Sequence, residues 1–271
     1  LFSLHTDRVV GKQDLHFITD NRTNHTPDEI KNAFKQLLRK SSVTKKSWSR
    51  FVKTCEEHNI DAGKLGITDN NGHQWTLVGY FLGRGSYGGA KSASVLVDSG
   101  ISVNGPAWRT PDGVEHPLSH VATLFLAGLI PDYSYYSSVL NIDLKEKQHR
   151  MLAQKQQLLS KKLLEAIDWK AISTDNTSVL HIAASKLSAQ TSHVLVPLLL
   201  KWGANPKQKN NNDETCIDTL YYRHDASNPR SGHQDLSIAW QTYIPIIENS
   251  IIEEELFKEK EPVKTKNKTR L

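Results

Sequence analysis

The sequence predicts an all-α fold: about four divergent helix-pair repeats with short turn fingers, stacked as a solenoid with a helical cap at each end. Three observations predict it. A short phrase closes four stretches of helical apolar spacing: Asn59-Ile60-Asp61 after SWSRFVKTCEEH, Gly100-Ile101-Ser102-Val103-Asn104 after SASVLVDS, Ala166-Ile167-Asp168 after QQLLSKKLLE, and Gly203-Ala204-Asn205 after VLVPLLLKW. Each puts a small or left-handed-tolerant residue where helix C-termini favour one. A second phrase follows each: an Asn/Asp/Gly cluster, a polar cap and an apolar helix start, in DNNGHQWTLVGYF, PDGVEHPLSHVA, STDNTSVLHIAA and NNNDETCIDTL. Finally, hydrophobic residues make up only 38% of the 271 and mean hydropathy is −0.49, which suits thin layers that each lie near solvent.

In these phrases the chain resembles the ankyrin-repeat family. Ser178-Val179-Leu180-His181-Ile182-Ala183-Ala184 is similar to T-P-L-H-x-A-A, and His116-Pro117-Leu118-Ser119-His120-Val121-Ala122 is a looser version. Leu199-Leu200-Lys201-Trp202-Gly203-Ala204-Asn205 is similar to L-L-x-x-G-A-D, and Leu96-Val97-Asp98-Ser99-Gly100 with Val103 and Asn104 is a variant of it. The family period is about 33 residues. Here the helix starts near Thr76, His116, Ser178 and Thr215 are separated by 40, 62 and 37 residues, so extra length sits inside the repeats.

The elements follow in order. Residues 1–46 form an N-terminal helical cap, with Thr26 as N-cap, Pro27 at the first helical position, and an apolar face of Ala33, Phe34, Leu37 and Leu38. The repeats occupy 47–235, with an insertion around 127–165 whose second half reads as one lengthened helix. A C-terminal helical cap over 236–257 is interrupted around Pro245, and 258–271 is a flexible charged tail.

LGRGSYGGAKS contains G-x-G-x-x-G as Gly83, Gly85 and Gly88, the pattern of a phosphate-cradling loop. The other parts of such a site are missing. No V-A-I-K, H-R-D or D-F-G pattern accompanies it, and Ala90 separates Gly89 from Lys91, which breaks the P-loop spacing. The expectation is a loop over 83–89 joining a helix over 76–83 to one over 90–99, with no nucleotide and no other small-molecule cofactor.

Two cysteines, Cys55 and Cys216, make neither a disulfide framework nor a zinc set. This suits a reducing, cytoplasmic compartment. Both read as small packing residues, with a Cys55 nucleophile completed by the 127–165 insertion as the enzymatic alternative. His116 and His120 are four apart and would share a helix face, but no third metal ligand is obvious, so no metal is expected. By the family resemblance, His181 holds the backbone of a neighbouring loop. Net charge is +5, dispersed over Arg39, Lys40, Lys45 and Lys46 and over Lys264, Lys266, Lys268 and Arg270. That makes nucleic acid an unlikely partner. No apolar run is long enough for a membrane span.

The resemblance implies a non-catalytic protein-binding module. Its partner residues are expected on turn tips, namely Asn70, Asn71, Trp108, Arg109, Asp112, Thr174, Asp175, Asn211 and Asn212. First helices and their ends are expected to add Trp75, Tyr80, Arg84, His120 and Lys186. Trp75 and Tyr80 suit core packing as well. The run Glu253, Glu254 and Glu255, before a flexible tail ending in Leu271, resembles the C-termini of type IV-secreted effectors of intracellular bacteria. In such effectors ankyrin repeats are frequent, which implies translocation and a host-protein partner.

Overall fold

The computed structural model describes residues 14–17, 27–128 except 39, 41 and 70, then 153, 157–219 except 187 and 188, and 244–259. Four five-residue turns, at 69–73, 110–114, 173–177 and 210–214, set its architecture. In each, the first residue's N–H donates to the fifth residue's carbonyl, at 2.9–3.0 Å, and the fourth residue's N–H donates back to the first carbonyl at the same range of distances. The fourth residue takes a left-handed backbone: Gly72 (φ 80°), Gly113 (90°), Asn176 (59°) and Asp213 (63°). Only Gly, Asn and Asp adopt this at little cost. In three of the turns the first side chain also accepts from the fifth N–H, as Asp69 does from His73, Thr110 from Val114 and Asn210 from Glu214.

Helix ends repeat as faithfully. Ile60 N–H donates to Cys55 at 2.9 Å, Ile101 to Leu96 at 3.1 Å and Ala204 to Leu199 at 3.0 Å. In each case the preceding residue is left-handed: Asn59, Gly100 and Gly203. This is the Schellman closure, and it is what the recurrent phrases encode. Ala166-Ile167-Asp168 does not share it, since Ile167 is extended.

The first two fingers stand on strands: β2 (Leu65–Thr68) and β3 (Gln74–Thr76) flank the first, β4 (Pro106–Arg109) and β5 (Glu115–Pro117) the second, and with β1 (Asp14–Phe17) at the β2 edge they join in the order β1-β2-β3-β4-β5 in one antiparallel sheet. This sheet overturns the all-α ankyrin solenoid; the protein is mixed α/β. The N-terminal segment likewise contributes a strand as well as a helix. The physical reason is backbone satisfaction. The feet of the first and second fingers pair with each other, β3 to β4, as well as within each hairpin. Register puts Ile67, Trp75, Trp108 and His116 in line on one face, and Thr68, Gln74, Arg109 and Glu115 on the other.

Each inner helix starts where a finger ends. α1 (Asp28–Leu38) pairs with α2 (Lys45–Glu57), which is opened by a capping box between Thr44 and Ser47. α3 (Leu77–Gly83), capped by Thr76, pairs with α4 (Tyr87–Asp98), capped by Ser86. α5 (Leu118–Gly128) follows the second finger, α6 (Lys161–Ala166) is capped by Ser160, and α7 (Val179–Lys186) pairs with α8 (Ala189–Lys201). α9 (Ile244–Glu259) packs on α8 and carries Pro245 in its first turn, where the missing N–H has no helical partner to lose. Two rows result, α3–α5–α7 behind the fingers and α2–α4–α6 outside them. Between them lie the fully buried Phe81, Leu82, Leu96, Phe125, Leu126, Leu163 and Leu180.

Other expectations change in detail. α1 buries Ile30 as well as Phe34 and Leu37, while its expected cap Thr26 lies outside the described residues. The second half of the 127–165 insertion is not one long helix: 157–159 form a turn, and α6 starts afresh at Lys161. Residues 129–152 and 154–156 of that insertion, all of 220–243 and the tail from 260 lie outside the described residues. The glycine loop is shorter than 83–89. It spans 84–86, with Gly85 left-handed (φ 66°), and Gly89 belongs to α4. Among the described residues, no helix is long and apolar enough to cross a membrane.

Candidate functional site

The sheet's inward face is an aromatic ladder. Trp75 stacks on Trp108 at 5.3 Å between ring centroids and 11° between planes; Trp108 stacks on His116 at 4.0 Å and 18°. His73 meets the edge of Trp108 at 6.1 Å. Asp69 anchors the outer end, accepting from the Trp75 indole N–H at 3.0 Å and from His73 Nδ1–H at 3.2 Å. At the inner end His116 Nδ1 lies 3.2 Å from His120 Nδ1. His116 stands on β5 and His120 on α5, so the two do not share a helix face as expected; they join strand to helix.

Trp108 (8% exposed) and His120 (0%) are therefore core residues and cannot contact a partner directly, which corrects their placement among the binding residues. Trp75 and Tyr80 are half-buried and pack against the core. Arg84 is half-buried in the α3–α4 loop, the side chain of Lys186 at the end of α7 lies outside the described residues, as does Asn70, and Asn71 is exposed at the first finger tip.

The other predicted residues do come together. Arg109 is exposed and ion-paired with Glu115. Glu115 is bonded in turn to the third finger: its N–H donates to Thr174 Oγ1 at 3.0 Å, and Thr174 N–H donates to its carbonyl at 3.1 Å. The third finger is joined to the fourth, since Asn211 N–H donates to the Asp175 carbonyl at 3.2 Å and Asn176 Nδ2–H to Asn211 Oδ1 at 2.7 Å. Asp112, Thr174, Asn211 and Asn212 are exposed along this line, and Asp175 is half-buried. Burial acts upward on the Asp175 carboxyl, but hydrogen bonds from Ser173 and Thr177 outweigh it and hold the group below its ordinary value. Gln74, Glu115 and Asn176 belong to the same surface and were missed. The alternation of Trp75 with Gln74, Trp108 with Arg109 and His116 with Glu115 carried the signal, in strands too short to announce themselves.

His181 behaves as the resemblance implies. Its Nε2–H donates to the Glu214 carbonyl of the fourth finger at 2.9 Å, and its Nδ1 accepts from Ser178 N–H at 3.2 Å and Ser178 Oγ at 2.8 Å. His181→Ala leaves the Glu214 carbonyl and Ser178 without these partners. The expected loss is about 1–3 kcal/mol, read as a lower midpoint in urea unfolding.

The cysteines offer no nucleophile. Cys55 is fully buried, and its thiol is pushed up to about 11, chiefly by burial and then by the charges of Glu56 and Asp61. Burial pushes Cys216 up to about 12. A thiol so protonated is inert at neutral pH. The 3.2 Å between the two histidine Nδ1 atoms is close to what two ligands of one zinc ion would span, but among the described residues no group of three His, Cys, Asp or Glu is placed to hold a metal.

No protein-family model and no curated protein matches the chain.

Proposed function

We propose that this chain is a non-catalytic protein-binding module, and that its partner docks on the exposed finger row centred on Arg109. The observation that carries the reading is the pair of bridges Glu115–Thr174 and Asp175–Asn211. They weld the second, third and fourth fingers into one edge of donors and acceptors. A rigid, pre-ordered edge loses little entropy on binding, and an arginine is a favoured anchor in such contacts. The ankyrin-like phrases support the same class of function. The reading extends to a translocated bacterial effector acting on a host protein, supported by the glutamate run before the charged tail.

The test is a triple variant, Arg109→Ala with Asp112→Ala and Asn211→Ala. All three side chains are exposed, and the Arg109–Glu115 pair, lying at the surface, stabilises by at most about 1 kcal/mol. The variant is expected to fold with an unchanged circular dichroism spectrum and to lose the protein that the wild type captures from eukaryotic lysate, with affinity for that protein reduced tenfold or more. A captured protein held equally by both would move the site off the finger row.

A further inference from the structure

The aromatic ladder ends in a feature that protein binding does not require. His120 is fully buried on α5, and its Nδ1 meets that of His116 on β5. One Nδ1–H donates to the other's lone pair, so the accepting ring is neutral. This bond fixes the inner end of β5 to α5. Through Trp108 and Glu115 the same strand holds the second finger to the first and the third.

We propose that His120 is the sensor of a proton-sensitive latch: protonation of the His116–His120 pair releases the second finger from α5 and dismantles the exposed finger row. A proton on the accepting Nδ1 leaves two N–H groups facing each other. A second proton on His120 creates a cation on a ring that is fully buried, a cost that the Thr177 backbone beside it offsets only in part.

The surroundings are mixed. Glu115 adjoins His116 on β5, Arg109 lies on β4, Asp69 and His73 on the first finger, Asp112 on the second, Asp175 on the third, and His181 on α7. Among the other described side chains of helices packed on α5, α3 carries Tyr80 and α8 carries Lys201. Asp175 and Asp112 favour a charged His116, yet burial dominates and lowers its pKa. His120 falls to about 3, through burial first and then the charge of His116.

The sign follows from linkage. A histidine whose folded pKa lies below its unfolded value contributes stability that is complete above the unfolded value, near 6.5, and is lost as pH falls toward the folded value. For His120 the window runs from about 6.5 down to about 3. Each proton taken up on opening multiplies the opening equilibrium about tenfold per pH unit in that window.

The test uses the free chain, so it stands apart from whether the fingers bind a protein. Hydrogen exchange of residues 106–125, corrected for the intrinsic pH dependence, is followed from pH 7.5 to 5. The expected result is a tenfold or greater loss of protection per unit below pH 6.5, with a flatter profile in His120→Gln. Protection that ignores pH in the wild type, or an equal slope in the variant, would overturn the latch. Should His120→Gln fail to fold, the wild type decides by nitrogen-15 shifts of the His120 ring. A ring still neutral at pH 5 in the folded chain supports the proposal, and a midpoint near 6.5 overturns it.

Discussion

Replacing Trp108 with alanine is expected to destabilise the fold by about 3–5 kcal/mol, the usual range when a buried indole is truncated. Trp108 is 8% exposed and is the middle rung of the ladder, with Trp75 on one side and His116 on the other. Its removal opens a cavity between two fingers whose backbones are joined there through the short register of β3 and β4. Trp75→Ala is expected to cost less, because Trp75 is half-buried at the outer end of the stack. Urea unfolding followed by far-ultraviolet circular dichroism measures both. A loss under about 1 kcal/mol for Trp108→Ala, far below that range, would show that the ladder is not what joins the fingers. The result also governs how binding variants are read: lost affinity in Trp108→Ala would report a damaged scaffold, whereas lost affinity in Arg109→Ala reports the surface.

What could be read in the sequence was whatever local backbone chemistry dictates. Asn59, Gly100 and Gly203 close helices because the left-handed position admits few residues, and Gly72, Gly113, Asn176 and Asp213 mark the fingers for the same reason. His181 was legible through the family resemblance, which implies its bond to the backbone of the neighbouring loop. The sheet was not, because its strands are three or four residues long, so alternation has no room to accumulate. Trp108 and Arg109 show the consequence at the site. Adjacent in sequence and both suited to an interface, they point to opposite faces of β4; one is core and the other surface. His120 misled for a related reason: a polar residue four positions from another histidine reads as exposed until the strand that buries it is known.

Gly89→Ala is expected to be the second large loss, and it answers what the glycine-rich stretch is for. A Cβ at Gly89 would stand 2.3 Å from the Phe81 carbonyl oxygen, backbone that cannot turn aside. In an open helix the substitution would gain about 1 kcal/mol from propensity. Here α4 must move away from α3, loosening the contact between them at a net cost of about 2–3 kcal/mol. That corresponds to a melting temperature lower by about 4–12 °C for a chain of this size. Gly85 supplies the contrast. It needs glycine only for its φ of 66°, with nothing within 4 Å of the position a Cβ would take. Gly85→Asn, a residue that tolerates this conformation, is therefore expected to change stability by less than about 1 kcal/mol. Thermal unfolding of the two variants side by side separates a loop that bends from a helix that must pass close. If Gly89→Ala proved as mild as Gly85→Asn, steric packing would not explain Gly89, and the phosphate-cradle pattern would have to be reopened with a nucleotide-binding measurement.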